Sequence, residues 1–217
     1  MLKMRLKFSK VGLASYISHL DVMRTFFRAF IRAEYPLKHS NGYNPHPLMS
    51  IAHPLPLGFS GLNEVLDCEL QCDDAPDILK RINAVLPSGL YVVNAAPPVA
   101  QIKEIAFAGY DISLIYDNNT LDKLSERFSD IFSASKIEIE KKTKRGTATV
   151  DIVPYISNIS FSQNSEHEVT AKLLLKVEEA PLNPKYIIDA LKNEGFSPDF
   201  VRYTRTGFKN KNMEEFI

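Results

Sequence analysis

Two apolar rhythms alternate along this chain, and their order restricts the fold more than any other feature. "MRLKFSK" puts Met4, Leu6 and Phe8 on one side and Arg5, Lys7 and Ser9 on the other, the period-two pattern of a half-buried strand. Gly12 breaks it. "SHLD" then offers Ser18 as a helix N-cap, with Asp21 three residues on. Leu20, Met23, Phe27, Phe30 and Ile31 follow at helical spacing, with Met23, Phe27 and Phe30 expected to form the core stripe, until Pro36 stops the helix. "MSIAHPLPL" is extended, and its prolines confine it to an edge or an irregular strand. "EVLDCEL" alternates again. "APDILKRINAVL" is an amphipathic helix ended by Pro87 and Gly89, and "LYVVNAA" is a strand.

That order is β-α-β-β-α-β, the ferredoxin-like split βαβ unit. "PPVA" reads as a linker, after which the order recurs with one difference. "IAFAGYDISLIY" is a strand and "TLDKLSERFSDIFSA" a helix. "KIEIEKK" and "ATVDIVPYISNISFS" are strands joined by a basic hairpin. "EVTAKLLLKVEE" is a strand, "NPKYIIDALKNEG" a helix, and "FVRYTRTGF" closes the sheet. The predicted fold is α+β, with two tandem ferredoxin-like domains at 1–98 and 104–217. The 217 residues suit two small domains.

Bulk composition narrows the function classes. No apolar run approaches the ~20 residues that span a bilayer, so no membrane partner is expected. The N-terminus lacks a signal-peptide hydrophobic region. Cys68 and Cys72 are too few for a disulfide framework or a four-thiolate metal site. On a strand they would also stand about 13 Å apart, too far to share an ion. The chain reads as a cytoplasmic protein that binds no cluster, metal or other cofactor of its own. Its 26 basic and 26 acidic residues cancel, but unevenly. Residues 1–50 hold eight basic against two acidic, and residues 51–100 two against six. A basic segment in a neutral protein makes a local anion-binding face.

"RLKFSKVG", "YISHLDVMRTFFRAFIRAEYPLKHSNGYNPHPLMSIAHPLPLG", "EVLDCEL" and the later "RYTRTG" together resemble an uncharacterised bacterial family associated with radical SAM enzymes. The resemblance is strongest in 5–70, and its specific elements are "ISHLD" and "NPHP". It implies a partner class and no reaction: a radical SAM enzyme that would carry the iron–sulfur cluster and S-adenosylmethionine. The residues it marks are His19, Asp21, Asn44, Pro45 and His46; His39, His53, Cys68 and Cys72 receive no role. The tandem architecture with its basic hairpin also resembles the RAMP-type proteins that bind and cut CRISPR repeat RNA, an analogy of architecture alone.

The residues suggest where chemistry could lie. Asn44, Pro45 and His46 form a rigid loop, since Pro45 and Pro47 flank His46 and Asn44 must be extended before a proline. The loop serves as a recognition element, lining a cleft with His19 and Asp21, or as a plain connection. His19 follows the N-cap, where the free N–H groups of a first turn attract phosphate. Arg24, Arg28 and Arg32 recur every fourth residue and make one stripe, either a phosphate-binding row or a solvated face. Lys141, Lys142, Lys144 and Arg145 crowd a hairpin turn. Arg202 and Arg205 alternate with Tyr203 and Phe208, a mixture that suits single-stranded nucleic acid. The functional expectation is a non-catalytic partner of a radical SAM enzyme that binds or presents an RNA substrate. One alternative is a metal-independent endoribonuclease using His19 and His46 as acid and base. Another is a protein-only assembly module.

Overall fold

The computed structural model describes residues 1–117, 123–143, 146–177 and 181–216. It is a mixed α+β protein whose sheets are mostly antiparallel, with few helices. The chain divides into two compact units. The first holds Met1–Glu104 with Arg205–Gly207 and Glu215–Ile217, and the second Ile105–Thr204 with Phe208–Glu214. The sequence pattern alone keeps the last strand wholly in the second half. In the structure that strand lends three residues to the first unit.

In the first unit the elements run β1 (Leu2–Lys10), α1 (His19–Arg32), β2 (Met49–Ile51), β3 (Ser60–Leu70), α2 (Ile78–Asn83) and β4 (Leu90–Ala96). β1 pairs antiparallel with β3 and β4, and β2 pairs antiparallel with β3, giving the order β4-β1-β3-β2. Register follows the apolar rhythm: Met4 faces Cys68, Leu6 faces Leu66 and Leu2 faces Leu70. Any one-residue slip would turn these rows outward. β2 has three residues because His53 turns left-handed at φ 42° and Pro54 and Pro56 have no N–H to extend a ladder.

Ser18 caps α1, its Oγ accepting from the Asp21 N–H at 3.2 Å. The helix ends at Arg32, four residues before Pro36, and Glu34 then turns left-handed at φ 59°. The buried residues of α1 are Val22, Phe26, Ala29 and Phe30. This corrects the expected core stripe: Met23 and Phe27 are only half-buried, and Leu20 and Ile31 are exposed. The stripe is rotated by about one residue, and Phe26 rather than Phe27 meets Phe8 edge-on, with ring centroids 4.8 Å apart.

The second unit contains β5 (Phe107–Ile115), α3 (Leu124–Phe132), β6 (Glu138–Thr143), β7 (Gly146–Asp151), β8 (Ile156–Ser165), β9 (Glu168–Lys176), α4 (Lys185–Asn193) and most of β10 (Phe200–Lys209). Its strand order is β10-β5-β9-β8, while β6 and β7 pair with each other in a separate hairpin. The single strand expected from "ATVDIVPYISNISFS" is two. A short 3-10 turn at Val153–Tyr155 divides it, because Pro154 has no N–H to give a ladder. Phe128 of α3 anchors the core against the rings of Phe161 and Phe196. Among the described residues no helix is long and apolar enough to cross a membrane.

Candidate functional site

Helix α1 presents two chemically different faces. At about 100° per residue, Arg24 and Arg28 lie on the side of the helix away from the Val22–Phe26–Ala29 row and Arg32 on its flank, and all three are exposed. Asp21 belongs to the same face. It accepts from the Ser18 hydroxyl at 2.7 Å and from Arg24 at 3.2 Å, and these two hydrogen bonds lower its pKa. His19 lies on the inner side of the first turn, against Val22. The expected grouping of His19 with Asp21 is therefore corrected: the helix turns them apart.

The segment 40–46 closes on itself. Ser40 N donates to the His46 carbonyl at 2.8 Å, and the Ser40 hydroxyl meets both His46 N and His46 Nδ1. Asn41–Pro45 are exposed at the tip, with Tyr43 fully so. His46 does line a groove, of about 370 Å³. The walls are His46–Ser50, Lys3 and Met4 of β1, Asp67–Glu69 of β3, and Pro98. His19 lines a different, smaller cavity, so the cleft expected to join His46 to His19 is not formed.

Cross-strand ion pairs underlie that groove. Arg5, itself buried, donates from Nε and Nη2 to the two oxygens of Asp67 at 2.7 and 2.8 Å and stacks on Phe216, 4.6 Å from the ring centroid. Glu69 accepts from Lys38 at 2.9 Å and stands 3.9 Å from Lys3. The Lys38 hydrogen bond holds its pKa down. Burial and the neighbouring Asp67 push the Cys68 thiol up to about 12. Cys72 lies beyond the end of β3, so the pair does not share a strand. Among the described residues no three His, Cys, Asp or Glu side chains converge as metal ligands.

The densest constellation was missed from sequence. Arg205 was expected on an RNA-binding surface. It is buried instead, donating from Nε to Glu64 Oε1 at 2.9 Å and from Nη2 to Glu64 Oε2. Nη2 also donates to the His53 carbonyl at 2.6 Å, which His53 presents from a left-handed backbone at φ 42°. Strain of this kind persists only where surrounding contacts hold it. Lys10 is likewise buried, donating to the Ser15 carbonyl at 3.0 Å, and Ser15 and Ser60 hydroxyls meet at 2.9 Å. Burial pushes the Glu64 carboxyl up, against the pull of Arg205 and Lys10. Burial pushes Lys10 down, opposed by Glu64. Burial and Arg205 also lower His53. A signal for two of these residues was present in the rhythm. Lys10 continues the inward row Met4, Leu6, Phe8, and Glu64 continues the inward row Leu70, Cys68, Leu66.

The remaining basic sites divide. Arg202 is exposed on β10. Lys141 on β6 has its Nζ 6.0 Å from the Tyr186 ring centroid. Lys142 belongs to the backbone of β6, and Lys144 and Arg145 lie outside the described residues.

With this geometry in place, a family profile decides the chain's affiliation. The profile describes an uncharacterized protein conserved in bacteria, DUF2344, and it matches residues 3–184. The chain belongs to this family. No curated protein sequence matches it. Among solved structures, a chain in the crystal structure of a Cbf5-Nop10-Gar1 complex is similar, with a TM-score of 0.54 at 10% identity over 94% of this chain and 48% of that one. This DUF2344 protein thus spans about half the length of that neighbour, and the likeness is one of fold alone. An unknown protein from Galdieria sulphuraria (TM-score 0.27, 8% identity, 94% and 98% covered) and a putative glycine cleavage system transcriptional repressor (TM-score 0.28, 13% identity, 95% and 100% covered) are more distant in shape and support no argument.

Proposed function

We propose that this DUF2344 protein is a non-catalytic, RNA-binding partner of a radical SAM enzyme, to which it presents a single-stranded substrate. The observation that carries the reading is the row of Arg24, Arg28 and Arg32, exposed one helical turn apart along α1, outside its buried stripe. Guanidinium groups one helical turn apart suit successive phosphates. Exposed Arg202 adds a second basic place. The strand orders β4-β1-β3-β2 and β10-β5-β9-β8 support a tandem ferredoxin-like arrangement of RAMP type, with the β6–β7 hairpin as an insertion. The partner would supply cluster, S-adenosylmethionine and chemistry, and the 40–46 tip with its groove would be the element that recognises it. The endoribonuclease alternative is the weaker, since His19 and His46 line separate cavities and the His46 Nδ1 is engaged by Ser40.

The deciding experiment is affinity purification of the full chain from its native cell, with sequencing of bound RNA and mass spectrometry of bound protein. A radical SAM enzyme and a defined RNA, both reduced by charge reversal of the three arginines, are expected. Absence of RNA binding at low salt with purified protein would remove the reading.

A further inference from the structure

One edge of the second unit's sheet is open. In its order β10-β5-β9-β8, the last strand β8 pairs with β9 alone. The hydrogen bonds flanking β9 show which backbone groups that leaves over. Tyr116 N donates to the His167 carbonyl at 2.9 Å and Val177 N to the Ala106 carbonyl at 3.0 Å, so the odd-numbered residues of β9 bond toward β5. The even-numbered Thr170, Lys172 and Leu174 then bond toward β8, where they meet Ser162, Ser160 and Asn158. The alternate residues Ile159, Phe161 and Gln163 turn their N–H and C=O groups outward along about 13 Å of edge. Among the described residues no backbone group pairs with them.

Folded chains usually guard such an edge. In the first unit β4 is closed at its centre. Val92 N donates to Asn83 Oδ1, and Asn83 Nδ2 donates to the Val92 carbonyl, both at 2.8 Å. β8 has no such clamp among the described residues. Its ten residues, "ISNISFSQNS", contain no charge and no proline, and its register is regular from Asn158 to Gln163.

The two sides of this edge differ in charge. On the helix side Phe161 borders an open groove of about 420 Å³, with Ser125, Glu126, Ser129 and Asp130 of α3 as the other wall. Glu126 stands 3.5 Å from Lys123, while Asp130 pairs with no cation among the described residues. On the opposite face of the sheet, exposed Lys172 lies beside Ser160. Side chains of an added strand would alternate between these two surroundings, carboxylates on one side and a lysine on the other. Nucleic acid has no peptide ladder to offer, and the carboxylates repel its phosphates. A second copy pairing through its own β8 would bring like carboxylates to the same edge.

We propose that the free edge of β8 takes up an extended, basic segment of a partner protein as an added strand, with lysine or arginine side chains reaching Glu126 and Asp130. The main-chain ladder supplies the affinity and the alternating charges select the segment. This goes beyond the RNA reading and does not depend on it.

The test uses the full chain labelled with ¹⁵N and a nine-residue peptide of alternating lysine and valine. Amide shifts and hydrogen exchange are read at Ile159, Phe161 and Gln163, and anisotropy gives the affinity. The peptide should bind, shift those amides and slow their exchange. Methylating every backbone nitrogen of the peptide should abolish binding while keeping its charge, a change that leaves the protein untouched. Replacing its lysines by glutamates should abolish binding too. Glu126→Lys combined with Asp130→Lys, both exposed, should weaken binding about tenfold, since opposite-charge pairs become like ones. Gln163→Pro removes one outward N–H, leaves the β9 ladder whole and should weaken binding as well. The proposal is overturned if the peptide does not bind, if its N-methylated form binds equally well, or if the edge amides do not respond. Sedimentation adds one further outcome. A dimer that Gln163→Pro dissociates, with edge amides protected before any peptide is added, would assign the edge to a second copy and overturn the basic occupant.

Discussion

Replacing Arg205 by methionine tests the ionic cluster most directly. The change keeps an unbranched stem of similar reach and removes the guanidinium. The hydrogen bonds to Glu64 and to the His53 carbonyl go with it. Glu64 is left 1% exposed with Lys10 as its remaining counter-charge. Breaking one side of a buried ion pair costs about 3–5 kcal/mol, since the other charge stays desolvated. For a protein of this size that is roughly a 10 °C fall in the melting transition. The penalty should depend on pH with a definite sign. Burial already holds the Glu64 carboxyl above its ordinary pKa, and losing Arg205 raises it further. The folded variant then binds a proton more readily than the unfolded chain. Its stability rises as pH falls through that raised pKa toward the unfolded value, and the deficit relative to wild type narrows. Adding Glu64→Gln should recover part of the loss, as removing both charges leaves less to desolvate. Urea melts at several pH values, followed by circular dichroism, provide the measurement. A loss under about 1 kcal/mol, a deficit that widens on acidification, or a double variant less stable than Arg205→Met alone would refute the reasoning.

Charge reversal of Arg24, Arg28 and Arg32 together should leave the melting transition within about 1 kcal/mol, as all are solvated. It should reduce the salt slope of single-stranded RNA binding by about 2, near 0.7 per lost phosphate contact; titrations at several salt concentrations check both. Native protein should titrate one thiol with a disulfide reagent and denatured protein two, because burial raises the Cys68 pKa to about 12 while Cys72 is half-exposed. Two fast thiols in native protein would contradict the buried position. His46→Ala removes one hydrogen bond to Ser40 at an exposed site, so stability should change by less than about 1 kcal/mol. Partner capture in pull-downs should fall; unfolding with normal capture would make the residue structural.

How much of this was legible depends on where the information lies. The element order was readable because strands and helices in the first unit carry clean periodicities. The cap at Ser18 and the break before Pro36 follow from single residues. The core face of α1 was misjudged by one position, since Phe26 and Phe27 are adjacent and periodicity alone does not choose between them. Register with β1, through Phe8, makes that choice. The arginine row was legible because it needs only local spacing. The pairing of His19 with His46 was not, since it required the path of a proline-rich segment whose tip closes on Ser40 instead.

The ionic cluster shows a more general reason. Lys10 ends an inward row on β1, Glu64 an inward row on β3, and Arg205 arrives from β10, separated from Glu64 by 141 residues of sequence. Each residue alone reads as ordinary strand polarity. Only at the end of a row, where the apolar rhythm stops but the inward register continues, does a charge become an anomaly. A chain would not hold a lysine, a glutamate and an arginine there without compensation, because each desolvated charge costs several kcal/mol. The arginine fork, the serine carbonyl and the left-handed His53 supply that compensation.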